Sequence, residues 1–322
     1  MRIVEPNAVE MYNPNPQKHI EAIGRVCYKS EDKITSDSHK KFIKDMRQRR
    51  HWAMLEHFRF IVRIPYEYYQ RIVFLNSPYL VCTNEENGCI VSGSARGLMD
   101  LTEYVEYNSG HFGINEDHYI ALMAIQKHLV GFYDCPELFG QSDCRQGWIE
   151  VITDTKWLSP REKLAHCWHS VLITCDRGVT HELVRHRPVS FAQESTRYCN
   201  YSLGKYGKEI AVIKPLFFDE KSEQYILWEK CMKYAEEMYN QLVRSGATAQ
   251  EARSVLPNST KADIVLTATN QEWAHIFDLR YIQITGPAHP QMVEIMTKLV
   301  DQHEWAQKIV VAEKARLGID AG

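Results

Sequence analysis

Apolar residues recur at helical spacing near the start of the chain. Ile20, Ile23 and Cys27 fall on one face of residues 17 to 28, and Phe42, Ile43 and Met46 on one face of residues 36 to 49. Residues three or four apart share a helix face, so two amphipathic helices are predicted. Phe58, Phe60, Val62 and Ile64 then alternate with His57, Arg59, Ile61 and Arg63, the period of a half-buried strand. Shorter apolar runs at 170 to 175, 210 to 213 and 264 to 268 predict further strands interleaved with helices.

The longest helix is expected at about 222 to 245, with Leu227, Cys231, Tyr234, Met238 and Leu242 as its packed stripe and Gly246 as its left-handed stop. Thr248-Ala249-Gln250-Glu251 has the form of a capping box, and Pro257 halts the short helix that carries Arg253. The final helix opens at Pro290 and runs through Met292, Ile295, Met296, Leu299, His303 and Ala306 to Ile309. No Gly/Ser linker, low-complexity tract or fixed repeat interrupts the pattern, which predicts one continuous domain over residues 1–322.

Composition agrees with a soluble globular chain of 322 residues, 44% hydrophobic and 25% charged. A net charge of -3 supplies no basic field for nucleic acid or an acidic membrane, so neither partner is expected and any anion site must be local. No apolar run is long enough to span a bilayer, and Met1–Pro6 lacks the core of a signal peptide; the expectation is a cytoplasmic protein. Nine cysteines without Cys-x-x-Cys spacing read as reduced, mostly buried thiols, and the scattered histidines predict no metal site. The run Cys89–Leu98 contains glycines but neither the dinucleotide nor the Walker pattern, which argues against a phosphate loop.

Functional groups concentrate in Arg177–Tyr198, directly after the apolar run at 170 to 175. Thr180 is expected to cap a two-turn helix ending near Arg187, because Pro188 disfavours helical geometry before it. Arg185, His186 and Arg187 alone need no function, since cations favour the carbonyl end of a helix. The loop that follows adds Gln193, Glu194, Ser195, Thr196, Arg197 and Tyr198, a concentration of donors suited to a polar anion.

These residues resemble the flavin-dependent thymidylate synthases, whose motif is Arg-His-Arg, seven residues, then Ser, matched here by Arg185-His186-Arg187 and Ser195. Glu182, Glu194, Arg197 and Tyr198 match the motif's flanks. His51-Trp52-Ala53-Met54-Leu55-Glu56-His57 is similar to the family's His-x-x-x-(Leu/Phe)-Glu-His segment before a strand. Ala252-Arg253-Ser254-Val255-Leu256-Pro257, Leu279-Arg280 and His289-Pro290-Gln291 resemble later blocks, in the family's order. Two departures stand out. Residues near 66 to 165 read as a large insertion before Arg-His-Arg, packed rather than loose because of Tyr68, Tyr69, Ile72, Phe74 and Leu75. Thr269-Asn270-Gln271 stands where many relatives have Asn-x-Arg, so an amide replaces a cationic flavin contact.

The resemblance implies an α+β fold, a twisted mostly antiparallel sheet flanked by helices, and a homotetramer whose sites draw on several subunits. It implies reductive methylation of dUMP to dTMP, with methylenetetrahydrofolate as carbon donor and NADPH as reductant through FAD. Glu182, Glu194, Ser195, Arg197, Arg253 and Arg280 are then expected around dUMP, with Ser195 and Arg280 as the catalytic pair. His51, Arg185, His186, Arg187, Gln193, His275 and His289 are expected around the flavin, and Cys27 occupies the place of a small hydroxyl residue near it. Alone, Arg253 reads as a solvated helical charge and Glu56-His57 as a buried structural pair. A deoxypyrimidine-nucleotide hydroxymethylase and a non-catalytic nucleotide- or RNA-binding homologue are the alternatives.

Overall fold

The computed structural model describes residues 1–64, 79–85, 88–100, 150–202 and 209–319. Tyr68, Tyr69, Ile72, Phe74 and Leu75, on which the packed insertion was inferred, lie outside the described residues. The chain divides into two compact units, Met1–Tyr12 with Ile23–Asp32 and His169–Gly322 forming one, and Asn13–Ala22 with Lys33–Trp168 forming the other.

The first unit holds strands β1 (Arg2–Val4) and β2 (Asn7–Met11) and the end of helix α1 (Pro16–Tyr28). The other unit contains α2 (Ser38–Gln48), strands β3 (Arg59–Ile64), β4 (Leu80–Glu85), β5 (Gly88–Ser94) and β6 (Glu150–Val151), and helix α3 (Pro160–His166). The chain then continues in the first unit with β7 (Trp168–Asp176), α4 (Arg177–Leu183), β8 (Ser190–Gln193), β9 (Ala211–Ile213) and the long α5 (Glu223–Arg244). It ends with α6 (Ala249–Ala252), β10 (Lys261–Thr269), α7 (Asn270–Phe277), α8 (Pro290–Gln302) and α9 (Glu304–Leu317).

The class is α+β, and the described strands form three sheets rather than one. In the first unit they are ordered β2-β7-β10-β8 and β1-β9, and in the other β4-β5-β3-β6. β2 pairs antiparallel with β7, and β10 with β8, whereas β1 and β9 run parallel. All three pairings of the second unit's sheet are antiparallel. The Cys89–Leu98 run forms β5 and the start of a helix at 95–100, not a phosphate loop. A Cβ at Gly93 would meet Leu80 Cδ2 at 2.5 Å and the Tyr79 carbonyl at 3.3 Å, so a side chain there would displace Leu80.

β10 is buried along almost its whole length, so it lies between layers and fixes the register of β8, with Ile264 opposite Gln193 and Thr267 opposite Ser190. Trp273 and Phe277 of α7 and Met292, Ile295, Met296 and Leu299 of α8 are fully buried in the same unit. The seven described cysteines are free, four of them buried and Cys231 exposed.

Three local expectations are corrected. Asp176, not Thr180, caps the motif's helix: its Oδ1 accepts from Val179 N at 2.8 Å, while Thr180 Oγ1 donates back to the Arg177 carbonyl. An aspartate satisfies the free amides of the first turn strongly, so the helix starts earlier and ends at Leu183, leaving Arg185–Arg187 in the following turn. The final helix is broken, because His303 is extended and separates α8 from α9. No proline or glycine marks that break. It coincides with His303 lying 3.6 Å from Glu10 and Trp305 stacking on His169 at 3.9 Å, tertiary contacts that a continuous helix pattern does not reveal. On α5 the buried residues are Met232 and Tyr239, whereas Leu227, Cys231 and Tyr234 of the expected stripe are exposed. The inner face wins because its aromatics carry useful polar ends: Tyr239 Oη accepts from Tyr201 N at 3.3 Å and Trp228 Nε1 donates to Ser259 Oγ at 3.0 Å.

Candidate active site

The turn after α4 and the loop after β8 carry most of the motif, and β10 with α7 lies beside them. Glu182, at the end of α4, accepts a hydrogen bond from Arg280 Nη1 at 3.1 Å. The His186 ring meets the His275 ring edge-on with centroids 6.2 Å apart. His186 is buried, and its Nδ1 lies 2.9 Å from the Leu183 carbonyl; a carbonyl only accepts, so Nδ1 carries the proton. Nε2 is buried without a partner. Burial lowers the His186 pKa, the Leu183 carbonyl opposes that, and nearby Arg280 and His275 add to the lowering. The ring is therefore neutral near pH 7, with an unused acceptor.

The loop after β8 is held from beneath by charge. Glu194 is 4% exposed. Its Oε1 accepts from Tyr201 Oη at 3.0 Å, and its Oε2 from Lys261 Nζ at 3.0 Å and from the Asp263 amide at 3.3 Å. Lys29 Nζ lies 3.5 Å from the same oxygen and also pairs with Asp263. Burial opposes charge on Lys29, but Glu194 and Asp263 outweigh it and its pKa rises. Burial likewise opposes charge on Asp263, yet Lys261 and Lys29 hold its pKa below the ordinary carboxylate value. Two ammonium groups and two carboxylates thus neutralise one another in the interior. Lys29 adopts a left-handed φ of 46°, a conformation that few side chains tolerate, directly after α1.

On this base, Ser195 N donates to the Cys27 carbonyl at 3.0 Å, and Arg197 and Arg253 stand exposed at the surface. Arg197 Nε donates to Gln250 Oε1 at 2.9 Å, and Arg253 Nη1 approaches Thr196 Oγ1 at 3.5 Å. Two exposed guanidinium groups therefore flank the half-buried Ser195 and the buried Thr196, a set able to bind a phosphate. Gln193 Nε2 donates to Thr180 Oγ1 at 3.2 Å, tying β8 to α4. Burial pushes the Cys27 thiol up to about 12, so it offers no thiolate to this surface.

The remaining sequence-derived residues lie elsewhere or point outward. Arg185 and Arg187 are exposed, and Arg187 Nη1 donates to the Val184 carbonyl at 2.6 Å. His289 caps α8, accepting from Gln291 N at 3.3 Å, with its ring 5.9 Å from Phe217. His51 belongs to the other unit, ahead of the 3-10 turn Trp52–His57. Sequence reasoning missed Lys29, Lys261, Asp263 and Gln250. Lys261 and Asp263 share one face of a strand, a signal that was available; Lys29 had none.

The family described as thymidylate synthase complementing protein matches residues 8–67 and 133–304. The chain belongs to that family. Residues 68–132 lie between the matched stretches, inside the 66 to 165 expected as an insertion. Three relatives named flavin-dependent thymidylate synthase illustrate the likeness. That of Pyrococcus abyssi is 30% identical over 128 residues, 40% of this chain and 50% of its own. That of Geobacter sulfurreducens is 33% identical over 104 residues, 32% and 43% of the two chains. That of Saccharolobus solfataricus is 32% identical over 154 residues, 43% and 56%. The chain thus spans about half the length of these relatives. Among solved structures, a UMP/dUMP methylase PolB from Streptomyces cacaoi, bound with 5-Br dUMP, aligns at 21% identity over 45% of this chain and 70% of its own, with a TM-score of 0.35.

Proposed function

We propose that this member of the family is a flavin-dependent thymidylate synthase, converting dUMP to dTMP with methylenetetrahydrofolate and NADPH. The observation that carries the reading is the Glu182–Arg280 contact, which joins the Arg-His-Arg block to the Leu-Arg block across 98 residues of sequence. Arg197, Arg253 and the Ser195 hydroxyl bind the nucleotide phosphate and sugar. Arg280, oriented by Glu182, meets the pyrimidine edge and stabilises the negative charge that develops as C5 becomes nucleophilic. Ser195 holds the nucleotide in place; no base lies in hydrogen-bond contact with it to make it a nucleophile among the described residues. Glu194 acts from below, because its carboxylate is taken up by Tyr201, Lys261 and Lys29.

FAD fits the residues present. The buried, unpaired Nε2 of His186 needs a donor, and the exposed Arg185 and Arg187 beside it suit the cofactor's phosphates. Gln193 and His275 join them, and the family resemblance adds His51 and His289. A bound flavin would supply the hydride-transfer chemistry of the reduction, and these residues would hold it. Exposed guanidinium groups at an incomplete surface also suit assembly of sites within a homotetramer. No described helix is long and apolar enough to cross a membrane, and the proposed location is the cytoplasm.

The test is anaerobic turnover with dUMP, methylenetetrahydrofolate, FAD and NADPH, each omitted in turn. Formation of dTMP only when all four are present supports the reading, and dTMP formed equally without FAD refutes it.

A further inference from the structure

The long helix α5 carries two apolar faces, and the monomer uses one. Met232 and Tyr239 turn inward, packed with Trp228, Leu242 and Val243. On a second face Leu227 and Tyr234 are 58% and 62% exposed, Cys231 is exposed and Met238 is half-buried. Leu227, Cys231, Tyr234 and Met238 are separated by four, three and four residues, the spacing of a seam between paired helices. Gln224 and Gln241 continue that spacing at either end. Beside the seam, Glu223, Lys230, Glu237 and Arg244 recur every seventh residue, at the flanking position that sets partner and orientation in coiled coils.

We propose that α5 docks antiparallel on α5 of a second copy of this chain, Leu227 packing on Met238 and Cys231 on Tyr234 across a two-fold axis. The proposal deepens the self-association inferred above by assigning it a surface. The charges choose both the occupant and the direction. In the antiparallel register Lys230 of one copy lies beside Glu237 of the other, and Glu223 beside Arg244, and the two-fold axis repeats each pair. A helix of another sequence has no reason to offer that alternation. A parallel pairing places the same charges against Trp228, Ala235 and Leu242, which provide no countercharge. Antiparallel packing also opposes the two helix dipoles.

The test follows dissociation of the purified full chain on dilution, by sedimentation velocity, for the wild type, Lys230→Glu, Glu237→Lys and the double variant. Both side chains are exposed, so the fold tolerates the changes, and circular dichroism confirms it. Each single reversal sets like charges together twice and is expected to raise the dissociation midpoint roughly tenfold or more; the double reversal restores the pairs and returns it to within about threefold of wild type. An assembled chain whose midpoint is the same in all four proteins overturns the α5 seam while self-association stands. A wild type that is monomeric at every concentration overturns both.

Discussion

Arg280 donates to Glu182 at 3.1 Å, so the residue proposed for the pyrimidine edge is oriented by a carboxylate near the end of α4, just ahead of the Arg-His-Arg turn. Both side chains are partly exposed, which leaves the guanidinium's other donors available to a ligand. Arg280→Ala is expected to lower kcat/KM for dUMP roughly 100-fold, the usual cost of removing one donor aimed at developing charge. Glu182→Gln keeps an acceptor but loses the ionic component, and a loss of about tenfold is expected. Steady-state kinetics decide the matter; an Arg280→Ala enzyme with unchanged kcat/KM would remove Arg280 from the reaction.

The Lys29, Lys261, Glu194 and Asp263 cluster makes a stability prediction. Lys29→Met leaves two buried carboxylates facing one ammonium, and a loss of about 3 kcal/mol is expected from urea unfolding. The pH dependence has a definite sign. Asp263 is held below its ordinary 3.8, so its contribution is present above that value and is lost as pH falls through the folded pKa. Lys29 is raised above its ordinary 10.5, so its contribution is full below that value and is lost as pH rises through the folded pKa. The difference between wild type and variant is therefore expected to be largest and level between these limits, and a difference that grows towards either extreme contradicts the assignment.

How much of this was legible beforehand varied with the kind of interaction. Periodicity located α1, α2, β3, β7, β9, β10 and α5, because each carries an apolar stripe, sheet face or continuous apolar run. It failed on which stripe of α5 to bury, since Leu227 and Tyr234 are as apolar as the side that packs. The family motif pointed to Glu182, His186, His275 and Arg280, and the fold brings these four together. It was silent on Lys29, whose role depends on Asp263, a partner 234 positions away in sequence. Long-range ion pairs leave no local pattern. The same limit explains the break at His303, where Glu10 meets His303 and His169 stacks on Trp305 from distant parts of the chain.

Among the buried histidines of the second unit, His19, His39, His57 and His166, burial depresses His19 and His166 from 6.5 to about 4. His166 is held between the hydroxyls of Thr83 at 2.7 Å and Ser92 at 2.8 Å. In the folded state both rings stay neutral, whereas in the unfolded chain they take up protons below about 6.5. Stability of this unit is therefore expected to fall as pH drops from 6.5 to about 4, by about 3 kcal/mol for each histidine. Hydrogen exchange of β3 and β5 amides, corrected for intrinsic rate, measures it. His166→Gln does not titrate and should remove about half of the effect; equal slopes for variant and wild type would show that His166 is not its source.

His186 offers the most direct check on the flavin reading. Its Nδ1 proton is committed to the Leu183 carbonyl, and its Nε2 lone pair is buried and unmatched. An acceptor in that state costs free energy until a donor arrives, so ligand binding should gain what the free protein lacks. Nitrogen NMR of the free protein is expected to show a neutral ring protonated at Nδ1, titrating below 6.5 because burial, Arg280 and His275 outweigh the opposing Leu183 carbonyl. His186→Ala removes the acceptor, and FAD affinity, read from the quenching of flavin fluorescence on titration, should fall about tenfold without turnover being measured. Should the ring instead titrate at or above 6.5, or the alanine variant bind FAD as tightly as wild type, His186 is a structural histidine and the cofactor is held by other groups.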